Sequence, residues 1–172
     1  MDEKRSDKLR AQIQSLRSGN LSAILSTLRE LRVQGDISIL PDLFDLMLDQ
    51  ESEEIISEIT SLLNDLKDQE GAEILTKAIA NPEYRDIQTY LVAACWQNGL
   101  SYGKFAETFL EVVITGEYSA AIEAFTVIEE AIGELEQPQR ERMVKNLKER
   151  LKDVSEEKKP LISELIKVID RY

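Results

Sequence analysis

A chain of 172 residues is long enough to bury one hydrophobic core and short for two. With 42% hydrophobic and 31% charged residues, its composition favours a folded helical protein and excludes a disordered or fibrous one. The net charge of −12 argues against nucleic-acid binding, and no apolar run is long enough to span a membrane. The opening MDEKRSDKLR lacks the apolar segment of a secretion signal, so we expect a cytoplasmic protein.

The spacing of apolar residues predicts helices along the whole chain. The first helix carries apolar residues from Leu9 to Leu16 and ends before Gly19, and Asn20 can cap the second, which ends at Gly35. The other eight are expected at about 37–49, from Ser52 to Leu66, from Gly71 to Asn81, at 85–98, from Ser101 to Gly116, at 117–135, from Pro138 onward and after Ser155. No sustained alternation of apolar and polar residues predicts a strand, so the expected fold is all-α with ten helices.

Neighbouring helices pair into five predicted hairpins with a similar apolar pattern. When Ile55 is aligned with Ile87 and then with Ala121 or Ile122, the steps are 32 residues and then 34 or 35. A helical hairpin at this period is typical of a solenoid, in which each unit buries its apolar face against its neighbours. The repeats are expected at about 4–34, 36–67, 71–98, 102–135 and 138–171, within a single domain spanning 1–172.

The stretch GDISILPDLFDLML followed by EEIISEITSLL, and the stretch RDIQTYLVAACWQNG, resemble HEAT repeats and the related HEAT-like repeats of the phycobilisome-lyase type. In that family a proline often stands in the opening turn of the first helix, as Pro41 does, and small residues such as Ala93 and Ala94 occupy the second. Trp96 departs from the pattern, since a small residue is common at its position. The resemblance implies a right-handed α-α superhelix whose second helices line the concave surface.

Two other folds stay open at this point. Tetratricopeptide repeats have a similar period, but their Trp, Gly-Tyr and Ala signature does not recur here at a fixed spacing. A closed helical bundle is the second alternative.

The residues that commonly carry catalysis are scarce. The chain has no histidine, which excludes Ser-His and Cys-His nucleophiles and most catalytic zinc sites. Cys95 lies between apolar residues and is expected to be a buried core residue. GLSYGK lacks the spacing and the Ser/Thr of a phosphate-binding loop and is interpreted as a turn. Carboxylates are abundant but form no known metal-binding motif, so no catalytic residue, metal or cofactor is predicted.

Only the middle of the chain has a net negative charge. Residues 35–137 hold 22 acidic side chains and only four basic ones, a net charge of −18, whereas residues 1–34 and 138–172 each carry +3. Solvated helix surfaces account for such a distribution, and so does a surface that attracts a basic partner.

The orientation of Trp96, the only tryptophan, is the main uncertainty. The apolar stripe of its helix runs through Ile87, Tyr90, Leu91 and Ala94, and helical geometry places Trp96 off that stripe. Its position is compatible with packing between repeats or with a recognition surface. If the second helices line one face, Trp96 shares that face with a set of candidate partner-binding residues: Thr89, Val92, Glu54, Glu58, Asp65, Glu123, Val127, Glu130 and Glu134.

Three functions are compatible with these observations. The favoured one is a non-enzymatic scaffold that binds a basic protein or peptide along an acidic concave face. An acidic immunity or inhibitor protein that occludes a basic nuclease or toxin is the alternative. A HEAT-like enzyme of the lyase or glycosylase type is less favoured and would depend on carboxylates such as Glu54, Glu58 or Glu123 in an enclosed pocket. No membrane, nucleic-acid or small-molecule partner is expected.

Overall fold

The computed structural model describes the backbone of residues 3–172 and the side chains of residues 7–33 and 35–172. Over this part of the chain it contains ten α-helices and no strand, which confirms the all-α prediction and the number of helices. The helices are α1 (Glu3–Leu16), α2 (Leu21–Gln34), α3 (Leu40–Leu48), α4 (Glu53–Asn64), α5 (Glu70–Ala80), α6 (Gln88–Asn98), α7 (Ala106–Thr115), α8 (Tyr118–Ala131), α9 (Gln137–Arg150) and α10 (Lys159–Asp170).

Local sequence signals explain most of the helix ends. Gly19 and Gly99 follow α1 and α6 with φ of 69° and 70°, a left-handed conformation that favours glycine. Asn20 caps α2 by accepting a hydrogen bond from the backbone N–H of Ala23 at 3.0 Å. Ser52 occupies the N-cap position of α4, but its side chain makes no capping bond there.

Short 3₁₀ turns account for the main differences from the expected boundaries. They lie at Ile37–Ile39, Pro82–Ile87, Gly103–Phe105 and Ile132–Glu134, three of them leading into a helix and the last following α8. The last helix begins at Lys159, four residues after Ser155, because residues 151–158 form turns instead.

The helices are arranged as two rows. Each even-numbered helix from α2 to α8 contacts the next even-numbered one, and each odd-numbered helix from α1 to α7 contacts the next odd-numbered one. Contacts within each hairpin, such as those of α5 with α6 and of α7 with α8, join the two rows. As a result α6 packs against α4, α5 and α8 together, which leaves only one side of it open. In the described part of the chain, no helix is long and apolar enough to cross a membrane.

Hydrogen bonds between the turns connect successive hairpins. Gln69 and Ser101 bond reciprocally, from Gln69 Nε2 to the Ser101 carbonyl at 2.8 Å and from the Ser101 N–H to Gln69 Oε1 at 2.9 Å. Buried Asn98 donates to the hydroxyl of Tyr102 at 3.1 Å and to the Leu63 carbonyl at 3.5 Å. Lys67 adds a bond from its Nζ to the Asn98 carbonyl at 3.2 Å. These bonds fix the ends of α4 and α6 relative to each other.

Two cations, Lys158 and Arg85, donate hydrogen bonds to the carbonyls at the C-terminal end of α7. The Lys158 side chain is only 7% exposed and donates to the carbonyls of Ile114, at 3.1 Å, and Gly116. Arg85 donates to the neighbouring Thr115 carbonyl. Cations stabilise the partial negative charge at a helix C-terminus and supply donors for its last carbonyls. Burial, and then repulsion from Arg85, lowers the pKa of Lys158.

Candidate functional site

Trp96 lies on the surface between α6 and α8. Its side chain is 41% exposed, and its Nε1 donates to the Glu123 carboxylate of α8 at 2.7 Å. The indole N–H is therefore satisfied, and the bond restricts the orientation of the ring. The sequence left open packing between repeats or a recognition surface; the ring is exposed rather than buried, and its bond to Glu123 also links α6 to α8.

The candidate carboxylates of α4 meet a basic side chain from α2. Arg32 lies 2.8 Å from Asp65 and 3.7 Å from Glu58, and it also donates to Ser61. Glu54, one turn before Glu58, is exposed and has no partner in the described part of the chain. The acidic character of this side of the face is thus partly neutralised at Glu58 and Asp65, two of the candidate partner-binding residues.

Two candidate residues, Val92 and Val127, are buried. For Val92, which has no exposed surface, the prediction that it belongs to a partner-binding surface is wrong, whereas Val127 is reached only through a cleft. Val92 is 0% exposed and Val127 is 2% exposed. Val92 is buried because α6 is covered by other helices on three sides, which the helical period of one sequence cannot reveal. Val127 forms part of the floor of a cleft. Thr89 is half-buried and its hydroxyl lies 3.0 Å from that of Ser119 on α8.

Glu134 is tied to the turn that precedes α7. Its Oε2 accepts hydrogen bonds from Ser101 Oγ at 2.6 Å and from the Gly103 N–H at 2.9 Å. A side chain at position 103 would not fit, because a Cβ there would lie 2.6 Å from the Glu134 Cβ. The stretch GLSYGK is indeed a turn, and Glu134 has a structural role there in addition to any role in recognition.

A cleft of about 160 Å³ opens between the C-terminal ends of α6 and α8. Trp96, Glu130 and Glu134 form part of its wall, together with the buried residues Cys95 and Val127. Glu130 is exposed and has no partner among the described residues. The structure thus brings four of the candidate residues, Trp96, Val127, Glu130 and Glu134, to one cleft.

Sequence reasoning missed two apolar residues of the same face. Tyr90, assigned to the interior stripe, is 43% exposed, and Ile122 on α8 is 41% exposed. Tyr90 lines a groove of about 480 Å³ between α4 and α6, together with Ile56, Thr60 and Glu53. No local sequence pattern marks Ile122 as exposed, because its environment depends on which helices pack against α8.

The side chain of Cys95 is inaccessible and poorly acidic. It is 1% exposed and donates a weak hydrogen bond from its Sγ to the Leu91 carbonyl at 3.3 Å. Burial raises the pKa of the thiol to about 12, and a hydrogen bond with Tyr102 offsets this only in part. A thiol with this pKa is protonated at neutral pH, so Cys95 lacks the thiolate that a nucleophile or metal ligand requires.

Comparison with family models, curated proteins and solved structures finds no match for this chain. Among the described residues, no cluster of three or more Cys, Asp or Glu side chains is arranged to hold a metal ion. The site is therefore defined by its geometry: an exposed indole, two exposed apolar neighbours and a set of carboxylates on three adjacent helices.

Proposed function

We propose that this protein is a non-enzymatic scaffold of stacked helical hairpins that binds a basic protein or peptide along the open side of α4, α6 and α8. The observation that carries the proposal is Trp96, whose ring is 41% exposed and held by a hydrogen bond to Glu123. Large aromatic side chains kept in one orientation dominate the binding energy of many protein interfaces.

Exposed apolar side chains around Trp96 support this proposal. Within the described residues, four of the seven large hydrophobic side chains that remain exposed lie on α6 and α8, namely Tyr90, Trp96, Tyr118 and Ile122. Isolated exposed apolar residues are normal, but a concentration on two adjacent helices is typical of an interaction surface.

The charge of the same helices favours a basic partner. The open side of α8 carries Glu123 and Glu130, and α4 contributes Glu54, while Arg32 from α2 pairs with Glu58 and Asp65 of α4. Carboxylates around an aromatic anchor accelerate association with a basic partner and exclude acidic ones.

The arrangement of the helices supports a scaffold. Successive even-numbered helices contact one another in one row and successive odd-numbered helices in another, as expected of stacked hairpins. In the HEAT-like repeats that the sequence resembles, the second helix of each hairpin lines the binding surface, and here these are the even-numbered helices.

Binding is favoured over catalysis on chemical grounds. The chain has no histidine, and the only thiol is buried with a raised pKa. General acid–base and nucleophilic catalysis near neutral pH require groups that titrate or are activated in that range.

Affinity capture from the native cell at low and moderate salt tests the proposal. The bait proteins are the wild type, Trp96→Ala, Glu130→Lys and a matched control, Glu107→Lys, which reverses an exposed charge on α7 in the other row. We expect a basic protein to be captured by the wild type and the control, and to be lost with either face variant and at higher salt.

Glu130 is preferred to Glu58 for the charge reversal. A lysine at position 58 would face Arg32, which lies 3.7 Å from the present carboxylate, and could destabilise the fold. Capture that is equally strong for all four baits and insensitive to salt would contradict the proposal.

A further inference from the structure

We propose that the cleft between the C-terminal ends of α6 and α8 binds an arginine side chain of the partner. This inference rests on the proposed function, because it names the partner's chemistry at one point of the same surface. The cleft is the place where Trp96 meets Glu130, at the end of α8, and Glu134, in the turn that follows it.

The cleft has room for one side chain of a binding partner and is too small for a larger ligand. Its volume is about 160 Å³. Sites for drug-sized ligands and cofactors usually measure about 300–1,000 Å³. One long side chain fits this space, whereas a nucleotide or a similar cofactor does not.

The walls of the cleft match a side chain with an apolar stem and a cationic head. Cys95, Val127 and Ala131 form an apolar floor and are each at most 5% exposed. Glu130 lies in the last turn of α8, and Glu134 lies four residues later in the 3₁₀ turn that follows it. Lysine and arginine bury their methylene groups against apolar surface and keep the charge at the edge.

Both carboxylates retain acceptor capacity. Glu130 accepts no hydrogen bond from the described residues. Glu134 uses Oε2 for Ser101 and Gly103, which leaves Oε1 for a ligand and fixes the position of the carboxylate. A preorganised acceptor loses less conformational entropy on binding.

The indole favours arginine over lysine. The bond from its Nε1 to Glu123 satisfies the polar edge of Trp96 and leaves a ring face for contact with a ligand. A guanidinium is planar and weakly hydrated, stacks on aromatic faces and donates in parallel to carboxylates. The ammonium of lysine is more strongly hydrated and cannot stack.

Trp96 is the only tryptophan, so its fluorescence reports on the cleft directly. The experiment is a titration of the intact protein with N-acetyl-arginine amide at constant ionic strength. N-acetyl-lysine amide and the uncharged isostere N-acetyl-citrulline amide are the comparison ligands. We expect a saturable change with arginine, a weaker response with lysine and none with citrulline.

Variants of α8 locate the binding site. Glu130→Gln is expected to raise the dissociation constant for the arginine amide about three- to fivefold, the effect of losing one partly exposed charge pair. Glu129→Gln removes the neighbouring exposed carboxylate, which does not line the cleft, and should leave the constant unchanged. Circular dichroism of both variants verifies the fold.

Equal binding of lysine and arginine would overturn the assignment to arginine. A response that does not saturate, or that Glu130→Gln leaves unchanged, would overturn the cleft as the binding site. If captured proteins depend on Trp96 while the arginine amide does not bind, this inference fails and the scaffold function stands. If the amide binds at Glu130 while capture ignores the face variants, the scaffold function fails instead.

Discussion

Trp96 shows how far one sequence can determine the environment of one side chain. The helical period places the residue about 140° around the helix from Leu91, and therefore off the main apolar stripe. The period cannot say which neighbouring helix covers that direction. In the structure the Glu123 carboxylate of α8 bonds to the indole N–H, and the ring stays 41% exposed.

Replacing Trp96 by Ala should therefore cost little stability. A side chain that is 41% exposed gives up only part of its burial, so we expect a loss of about 1–2 kcal/mol in the free energy of unfolding. Phe109→Ala is the buried comparison, because Phe109 is 0% exposed, and should cost about 3–5 kcal/mol. Urea unfolding followed by circular dichroism measures both, and equal losses would mean that Trp96 is a core residue.

Cys95 should be inert towards thiol reagents in the native protein. Burial and the raised pKa of about 12 remove both access and thiolate, so labelling by a thiol-reactive disulfide at pH 8 should be at least about a hundredfold slower than in denaturant. The rate of colour release with and without urea measures the difference. Native labelling as fast as that in urea would show that the thiol is accessible.

Ionisation of the Cys95 thiol makes the free energy of unfolding depend on pH in the alkaline range. Its pKa is about 12 in the folded protein and 9.0 in the reference state, so folding favours the protonated form. The resulting contribution to stability is complete below pH 9 and is lost as the pH rises towards 12. Cys95→Ala should remove this share of the pH dependence in urea unfolding measured between pH 8 and pH 11.

At the scale of the elements, the turn before α7 depends on one glycine. A Cβ at Gly103 would lie 2.6 Å from the Cβ of Glu134 and 2.7 Å from its Oε2. Gly103→Ala therefore forces the turn before α7 away from the 3₁₀ turn that follows α8. We expect a loss of about 1–3 kcal/mol in the free energy of unfolding, the usual cost of overpacking.

Gly133→Ala is the matched control, since it adds the same methyl group next to Glu134 in the chain. Apart from its chain neighbours and nearby helix backbone, a Cβ at Gly133 would meet no heavy atom within 4 Å. Alanine also restricts the unfolded chain, so this variant should be neutral or stabilised by about 0.4–1 kcal/mol. Thermal unfolding of the two variants compares them, and similar melting temperatures would rule out the proposed close approach.

The elements themselves were predictable because their signals are local. Apolar spacing, Asn20 as a cap and glycine at 19 and 99 give the number of helices and several ends. Other features depend on contacts between distant parts of the chain. The helical period could not show that Val92 would be buried by the helices around α6, nor that Tyr90 would face the α4–α6 groove.

The candidate site was predictable in part. Acidic residues on three helices and an off-stripe tryptophan identified the face. The ion pairs of Arg32 and the role of Glu134 in the turn were not predictable, because each depends on a residue about one hairpin away in sequence. To predict such pairings, one must know how far neighbouring helices are shifted along their axes relative to each other. No local sequence pattern encodes this shift.

At the scale of the whole molecule, the charge distribution sets the response to salt. The central 103 residues carry −18 and the net charge is −12, so self-repulsion should destabilise the folded state at low ionic strength. The described ion pairs involve largely exposed side chains and are each worth about 0–1 kcal/mol. Repulsion should dominate, so screening it should raise stability.

The melting temperature is therefore expected to rise as NaCl increases from about 10 mM to about 200 mM, a range over which the screening length falls from about 30 Å to below 10 Å. Thermal unfolding at neutral pH, followed by circular dichroism, measures the shift. Sodium perchlorate at the same ionic strengths is the control for ion-specific effects. A melting temperature that falls in both salts would show that ion pairs outweigh repulsion.

Arg17 and Arg32 connect the first hairpin to the second. The type of bond that they make predicts which helices unfold locally first. Both arginines make ion pairs at the surface, to Asp42 and Asp65, whereas α4 and α6 are joined through buried Asn98. Water competes with surface pairs but not with buried ones. Backbone amides of α1 and α2 should thus exchange with deuterium before those of α6 and α8, which would leave the acidic face intact in the first partly open state.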